Sequence, residues 1–167
     1  AWLANEDSRQ YVITGASGLG KSALIANWVK DKLNDSERKY NIIYHFTGNG
    51  GSESNSEHIT KSLIDEINNL YGWEDSGADT KLSDLFVRVS AEDKPLLIVI
   101  DAINQIVDTD NAKLLNWLPA PTKNIKILFT TLEDDRTMEV FKNRDYPIFT
   151  LQPLDVDRRS MLVKNYL

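Results

Sequence analysis

A glycine-rich segment near the start of the chain has the residue types that suit a phosphate ligand. It consists of Gly15-Ala16-Ser17-Gly18-Leu19-Gly20-Lys21-Ser22, the P-loop pattern of Gly, four residues and Gly-Lys-Ser. Glycines allow the positive φ angles of a tight loop whose N–H groups converge on phosphate oxygens. Lys21 supplies a point charge for the β and γ phosphates, and the Ser22 hydroxyl is a ligand for Mg²⁺. All eight residues are therefore predicted to bind a nucleoside triphosphate with Mg²⁺.

The residues on either side of this segment favour the same interpretation. Residues 11–14 form a short β-prone run, and apolar residues at 24, 25, 28 and 29 are typical of one face of a helix. A helix that begins at Lys21 adds free N–H groups and the positive end of its dipole to the phosphate site. Strand, glycine loop and helix together are the context that the motif requires. The alternative is a glycine-rich turn without a ligand.

Asp101 is the second candidate for the same site. It ends the unbroken apolar run 96–100, which is typical of a central parallel strand covered on both faces. A carboxylate at the end of a buried strand needs a partner, and Mg²⁺ held through water beside Ser22 provides one. The alternative is that Asp101 only caps the turn that follows it.

The elements that must position these residues predict an α/β fold. We expect a three-layer P-loop NTPase core with a five-stranded, mainly parallel sheet flanked by helices and right-handed crossovers. One complete strand lies in sequence between the P-loop strand and the Asp101 strand, a spacing that resembles the P-loop class with strand order 5-1-4-3-2. The predicted strands are 11–14, 40–46, 96–101, 125–131 and 147–151. The predicted helices are 21–33, one that a Ser54–Glu57 capping box opens and that reaches Tyr71, 82–89, 112–118, 134–143 and 155–167.

Composition narrows the function classes. The chain has 167 residues, a net charge of −6 and no cysteine, which excludes disulfides, thiolate catalysis and cysteine-bound metals. The acidic balance gives no attraction to nucleic acid or to an anionic membrane. No apolar run approaches the ~20 residues of a membrane span. We expect a cytoplasmic protein, and we interpret residues 1–167 as one P-loop NTPase core of a longer multidomain protein.

Several segments resemble one known family. The P-loop with KSALIANW, then LLIVIDAINQI, KILFTT and LQPLDVDRRSMLVKNYL, is similar to the NACHT-type STAND NTPases. The nephrocystin-like and telomerase-associated-protein-like group, whose NTPase core precedes TPR or WD repeats, is the most similar. The resemblance covers nearly the whole chain. It implies a regulatory switch that binds ATP or ADP and acts in signal transduction, through protein partners or self-association in later domains.

The departures from that family bear on hydrolysis. Many NACHT proteins have acidic residues three and four positions after the aspartate, where this chain has Asn104 and Gln105. An amide cannot accept the proton of the attacking water, although a glutamine can still orient that water. The resemblance thus implies a catalytic set of Lys21, Asp101 and Gln105 with slow hydrolysis. Thr130 or Thr131 stands where relatives carry an arginine and could sense the γ phosphate by a hydroxyl.

Three functions remain open from the sequence. The first is the nucleotide switch with slow hydrolysis, the second a small-molecule phosphotransferase, and the third a nucleotide-bound interaction module without hydrolysis. Trp2 either packs near the nucleotide base or covers an edge of the core. Four arginines are candidates for a finger that acts on a neighbouring subunit or for ordinary surface residues: Arg136, Arg144, Arg158 and Arg159.

Overall fold

A computed structural model describes residues 2–5, 7–49, 54–74 and 80–153 of the chain. Its strands are β1 Gln10–Thr14, β2 Asn41–Phe46, β3 Leu96–Asp101, β4 Ile125–Thr130 and β5 Ile148–Thr150. Its α-helices are α1 Lys21–Asn34, α2 Ser56–Tyr71, α3 Leu82–Val89 and α4 Arg136–Asn143. Short 3₁₀ turns lie at Trp2–Ala4, Thr47–Asn49, Ile103–Gln105 and Thr109–Leu114. The helix predicted at 155–167 lies outside the described residues.

The five strands form one parallel sheet in the order β2-β3-β4-β1-β5. Taken from the other edge this is 5-1-4-3-2, so the predicted order is confirmed. The topology places β4 between the strand that leads into the P-loop and the strand that ends at Asp101. The carboxyl ends of parallel strands meet at one edge of a sheet, which brings the P-loop and Asp101 to the same edge.

The residues of β3 divide between the two faces of the sheet because side chains alternate along a strand. Leu96, Ile98 and Ile100 pack with the apolar residues of α2, α3 and α4 in one core cluster. Leu97 and Val99 pack on the other face with Ile25 and Val29 of α1. All six β3 residues are buried, as the unbroken apolar run predicts. The sheet is therefore covered on both faces.

Three local predictions were wrong in detail. Leu24 of the predicted α1 stripe is 46% exposed, because α1 packs on the sheet through Ile25 and Val29. The N-cap of α2 is Asn55, whose side chain accepts from the His58 N–H, rather than Ser54. The expected helix at 112–118 is instead a 3₁₀ segment ending at Leu114, with positive φ angles inside it.

No described helix is both long and apolar enough to cross a membrane.

Asp135 is expected to stabilise the start of α4. Its Oδ1 accepts from the N–H of Thr137 at 2.9 Å, and its Oδ2 lies 2.7 Å from Lys113 Nζ. Burial alone would raise the pKa of Asp135, but these donors and the ammonium of Lys113 outweigh burial and lower it below 3.8. Asp135→Ala should reduce the free energy of unfolding by about 1–2 kcal/mol at pH 7, whereas its exposed neighbour, changed as Asp134→Ala, should change it little.

Urea unfolding at several pH values tests this role of Asp135. A carboxyl group whose pKa is lowered by folding stabilises the folded state fully at any pH above its pKa in the unfolded chain. This stabilisation is lost as the pH falls through the pKa of the group in the folded protein. The difference between wild type and Asp135→Ala should therefore be constant near neutral pH and shrink at acidic pH below 3.8. A difference that is the same at pH 7 and at pH 2 would exclude an ionised cap.

Candidate functional site

The P-loop adopts backbone angles that favour glycine. Gly18 and Gly20 have φ of 77° and 84°, in the left-handed region. Gly15 has φ 152°, and a Cβ there would lie 2.9 Å from the carbonyl oxygen of Leu151, just after β5. A side chain at Gly15 would therefore collide with backbone. The spacing of the three glycines is explained by the shape of the loop.

Lys21 begins α1 and points back over the loop. Its Nζ donates to the carbonyl oxygens of Gly15 at 2.7 Å and Ala16 at 2.9 Å. The N-cap residue Gly20 has no side chain to accept from the first turn of α1, unlike Asn55 and Asp135 at the starts of α2 and α4. The first N–H groups of a helix have no partner within the helix. This end of α1 therefore presents donors and a lysine to an anion.

A cleft of about 320 Å³ lies between the P-loop and the ends of β3 and β4. Its volume is within the range of roughly 300–1,000 Å³ that is common for ligand pockets. One wall includes Lys21 and Ser22, and the opposite wall consists of Ala102, Asn104, Gln105, Thr130 and Leu132. The fold thus brings the predicted Gln105 and the P-loop to one cleft. Lys21 and Gln105 are 84 positions apart in the sequence.

Asp101 lies at the end of β3 with no solvent exposure. Its Oδ1 accepts from the Thr130 hydroxyl on β4, and its Oδ2 accepts from the Tyr44 hydroxyl on β2 at 2.9 Å. Thr130 Oγ1 itself accepts from the N–H of Ala102 at 2.8 Å, so its one proton is directed at Asp101. The Asp101 side chain therefore bonds to both neighbouring strands. The described contacts do not show it as a cap of the next turn, since no side chain caps the Ile103–Gln105 segment.

Charge and burial both shift the pKa values of the ionisable groups around Asp101. Burial lowers the pKa of Lys21, and the carboxylates of Asp101 and Glu133 oppose that shift. Burial raises the pKa of Tyr44, and the charge of Asp101 and the hydrogen bond to it raise it further. Tyr44 consequently remains a hydrogen-bond donor at physiological pH. Tyr44 lies within the predicted strand 40–46, where no motif of the sequence indicates its contact with Asp101.

The segment that follows β2 is tied to the Asp101 turn. The Thr47 hydroxyl donates to the carbonyl oxygens of Asp101, at 2.9 Å, and Ala102. Ser54 Oγ donates to the carbonyl oxygen of Thr47 at 2.7 Å, and the Ser54 carbonyl accepts from the N–H of Val107. Thr47 and Ser54 are both buried, so these hydrogen bonds fix them beside the Asp101 turn. Residues 50–53 lie outside the described residues.

Other candidates from the sequence lie away from the cleft or are already engaged. Trp2 stacks on Tyr11 and lies over the ammonium of Lys126, near the amino end of β4, so it packs far from the P-loop edge. Thr131 is fully buried, and its hydroxyl bonds that of Thr137 at 2.7 Å. These positions argue against a role for either residue at a nucleotide in the cleft.

The two described arginine candidates both have partners. Arg136 forms an ion pair with Asp108 at 2.9 Å, and Arg144 donates to the carbonyl of Leu114 at 2.9 Å. Arg158 and Arg159 lie outside the described residues.

The donor set fits a hard cation such as Mg²⁺. Ser22 is an exposed residue that lines the cleft, and Asp101 is a buried carboxylate with no Lys or Arg ion pair among the described residues. Each oxygen of the Asp101 carboxylate has two lone pairs and accepts one described hydrogen bond, so it has the capacity to accept a second. Oxygen ligands of this kind, with water between, are those that Mg²⁺ prefers in nucleotide sites.

Comparison with known protein families identifies the chain. Residues 1–165 match the NB-ARC domain. The chain belongs to the NB-ARC domain family. As an NB-ARC domain it is a nucleotide-binding P-loop NTPase domain of the STAND class, which confirms the class expected from the sequence.

Solved structures similar to this NB-ARC domain share its fold. The ORC2 protein of Aeropyrum pernix, solved as ADPNP-ADP complexes, superimposes with a TM-score of 0.60 and 15% identity over 95% of this chain and 45% of its own. Cdc6p from Pyrobaculum aerophilum gives 0.59 and 12% identity over 93% of this chain and 42% of its own. The chain therefore shares with these two structures a parallel five-stranded sheet flanked by helices.

A curated relative of this NB-ARC domain is a TPR repeat-containing protein of Dictyostelium discoideum. It is 22% identical over 201 aligned residues, which include 94% of this chain. The chain spans only 12% of the length of that relative, and less than half of the solved structures above.

Proposed function

We propose that this NB-ARC domain is a regulatory switch that binds ADP or ATP with Mg²⁺, hydrolyses ATP slowly and transmits its nucleotide state to protein partners. One observation carries the proposal. The cleft combines Lys21 and the uncapped start of α1 on one wall with the amides of Asn104 and Gln105 on the other. The first wall suits tight phosphate binding, and the second lacks a carboxylate that could take a proton from water.

Each residue of the cleft has a separate role in this proposal. The N–H groups of Gly15 through Ser22 surround the phosphates, and Lys21 exchanges its two carbonyl acceptors for phosphate oxygens. Ser22 and Asp101 would hold Mg²⁺, Asp101 through water. The bound ion would neutralise part of the phosphate charge. Gln105 would orient the attacking water without deprotonating it, which keeps hydrolysis slow.

Two features support an output through other proteins. The curated TPR-containing relative is far longer than this chain, and TPR repeats occur in the NACHT-type group that the sequence resembles. These features support our proposal that, within the STAND class, the chain is similar to that NACHT-like group and serves as the nucleotide core of a larger cytoplasmic signalling protein. The partners, or a second copy of the same protein, would be bound by domains beyond this core.

The amides at 104 and 105 also support a second candidate, an interaction module that holds nucleotide without hydrolysing it. Both candidates predict nucleotide in the cleft and differ only in turnover. The phosphotransferase alternative has no comparable support, since both described arginines of segment 134–145 are engaged at the surface.

The nucleotide that purified protein carries tests the proposal. Protein prepared without added nucleotide is denatured, and the released nucleotide is identified and quantified by chromatography. A switch resting in its inactive state should release close to one ADP per chain. Protein that is empty and binds neither ADP nor ATP, with Mg²⁺ present, would refute the proposal for this core. Release of ATP with no ADP after prolonged incubation would favour the interaction module.

A further inference from the structure

The hydroxyl of Tyr44 lies where neither the P-loop motif nor the aspartate motif predicts a functional group. It donates to Asp101 Oδ2 at 2.9 Å from the neighbouring strand β2. Tyr44 is paired in register with Val99, two residues before Asp101 on β3. Two residues of a strand rise by about 6.6 Å, a distance that the long side chain of a tyrosine covers. Tyr44 therefore reaches forward along the sheet to the carboxylate.

The two donors to Asp101 come from opposite sides. Thr130 belongs to β4, on the side of the P-loop strand β1, and it lines the cleft. Tyr44 belongs to β2, the edge strand on the far side of β3. The carboxylate is thus held at Oδ1 by Thr130, which lines the cleft, and at Oδ2 by Tyr44, which does not. We propose that Tyr44 is a positioning residue that fixes the Asp101 carboxylate for the metal ion of the bound nucleotide.

The burial of Asp101 makes this contact important. Asp101 has no solvent exposure, so a lost donor at Oδ2 is not replaced by bulk water. A buried carboxylate oxygen without a hydrogen-bond partner is costly, so the side chain is expected to rotate toward another donor. Such a rotation would move Oδ1 away from Thr130 at the edge of the cleft. Tyr44 itself does not line the cleft, so its removal leaves the phosphate contacts intact.

This inference rests on the proposed function, and its test separates the two. The affinity for ADP is measured by calorimetry in EDTA and in saturating Mg²⁺, and the ratio of the two affinities gives the contribution of the metal. Tyr44→Phe should leave the affinity in EDTA unchanged and lower that ratio about tenfold, the smaller end of the range seen when outer-shell partners of metal ligands are removed. Mn²⁺ titration of the ADP complex, followed by electron paramagnetic resonance, should show the same loss.

Two further variants keep the result interpretable. Tyr71→Phe removes a tyrosine hydroxyl that donates to the Lys94 carbonyl, at the opposite ends of the strands, and should leave the metal contribution unchanged. In an Asp101→Asn background, which lacks the charge, Tyr44→Phe should cause no additional loss of metal contribution. Equal losses in both backgrounds, or an unchanged ratio in Tyr44→Phe, would overturn the role of Tyr44 alone. Absence of ADP binding in the wild type would overturn the proposed function as well.

Discussion

Replacing Lys21 by alanine is expected to weaken the binding of ADP and of ATP by about a hundredfold. The ammonium now donates to two carbonyl oxygens of the P-loop, and it can transfer both bonds to phosphate oxygens without moving α1. Two charge-assisted hydrogen bonds of roughly 1.5 kcal/mol each correspond to about two decades of affinity. Calorimetric titration with ADP in Mg²⁺ measures the effect directly.

Lys30→Ala is the matched control for Lys21→Ala. Lys30 is an exposed lysine of the same helix, so its removal changes the net charge and helix composition by the same amount. The control should bind ADP as the wild type does, and both variants should retain cooperative thermal unfolding. A threefold change in affinity corresponds to only ~0.7 kcal/mol, the strength of one weak contact. If the affinity of Lys21→Ala for ADP were within about threefold of the wild-type affinity, Lys21 would not contact the nucleotide.

The site could be predicted in part because its two main motifs are local. The P-loop consists of eight contiguous residues, and the apolar run 96–100 predicts a buried strand that ends at the carboxylate of Asp101. A parallel sheet then brings the carboxyl ends of such strands to one edge, independently of the sequence of the segments that connect them. The strand order was predicted from the resemblance of the strand spacing to a known P-loop class and not from the motifs alone. For these reasons the cleft between Lys21 and Gln105 was foreseeable from sequence.

The remaining contacts depend on geometry that a sequence pattern does not contain. The bond from Tyr44 to Asp101 depends on the register of β2 against β3, which places Tyr44 beside Val99. The bonds of Thr47 to the Asp101 turn depend on how the chain leaves β2. The prediction of Ser54 as the N-cap of α2 was wrong because Ser54 and Asn55 are both residue types that cap helices. In the structure the Ser54 hydroxyl donates to the Thr47 carbonyl, and the Asn55 side chain caps the helix instead.

The turn at Ala102 shows how tertiary contacts override local preference. Ala102 has φ 57°, a left-handed angle that costs an alanine roughly 1–2 kcal/mol. Its N–H bonds Thr130 Oγ1, and its carbonyl accepts from Thr47 and from the N–H of Gln105. These bonds hold the turn in place and aim the following residues at the cleft. Single-residue propensity would have extended the strand or begun a helix here.

Changing Gln105 to glutamate is expected to accelerate ATP hydrolysis. Glutamate has nearly the same shape as glutamine, so it should occupy the same wall of the cleft. Unlike the amide, its carboxylate can accept the proton of an attacking water. A well-placed general base contributes typically about 10²–10⁴-fold, and we expect roughly tenfold or more here, because the water site has not been adapted to a base. Phosphate release under single-turnover conditions, with ATP saturating, measures the chemical step.

Asn104→Asp is the matched control for Gln105→Glu, since it adds the same charge to the adjacent position of the same wall. If negative charge alone mattered, both variants would change the rate alike. Faster hydrolysis in Gln105→Glu alone would place the water beside residue 105. Faster hydrolysis in Asn104→Asp alone would move the water-orienting role to residue 104 and contradict the assignment of Gln105.

Gly48 offers a way to test whether position as well as charge is required. A Cβ at Gly48 would lie 2.8 Å from Gln105 Oε1 and 2.3 Å from the ring of Phe46. Both atoms belong to the ends of side chains, and Phe46 is 36% exposed, so Gly48→Ala should displace them at little cost in stability. In the double variant Gly48→Ala with Gln105→Glu, the carboxylate is pushed from its place and the rate increase should be lost. If the double variant kept the faster hydrolysis, the carboxylate introduced at position 105 would act from an orientation other than the one that Gln105 has beside Gly48.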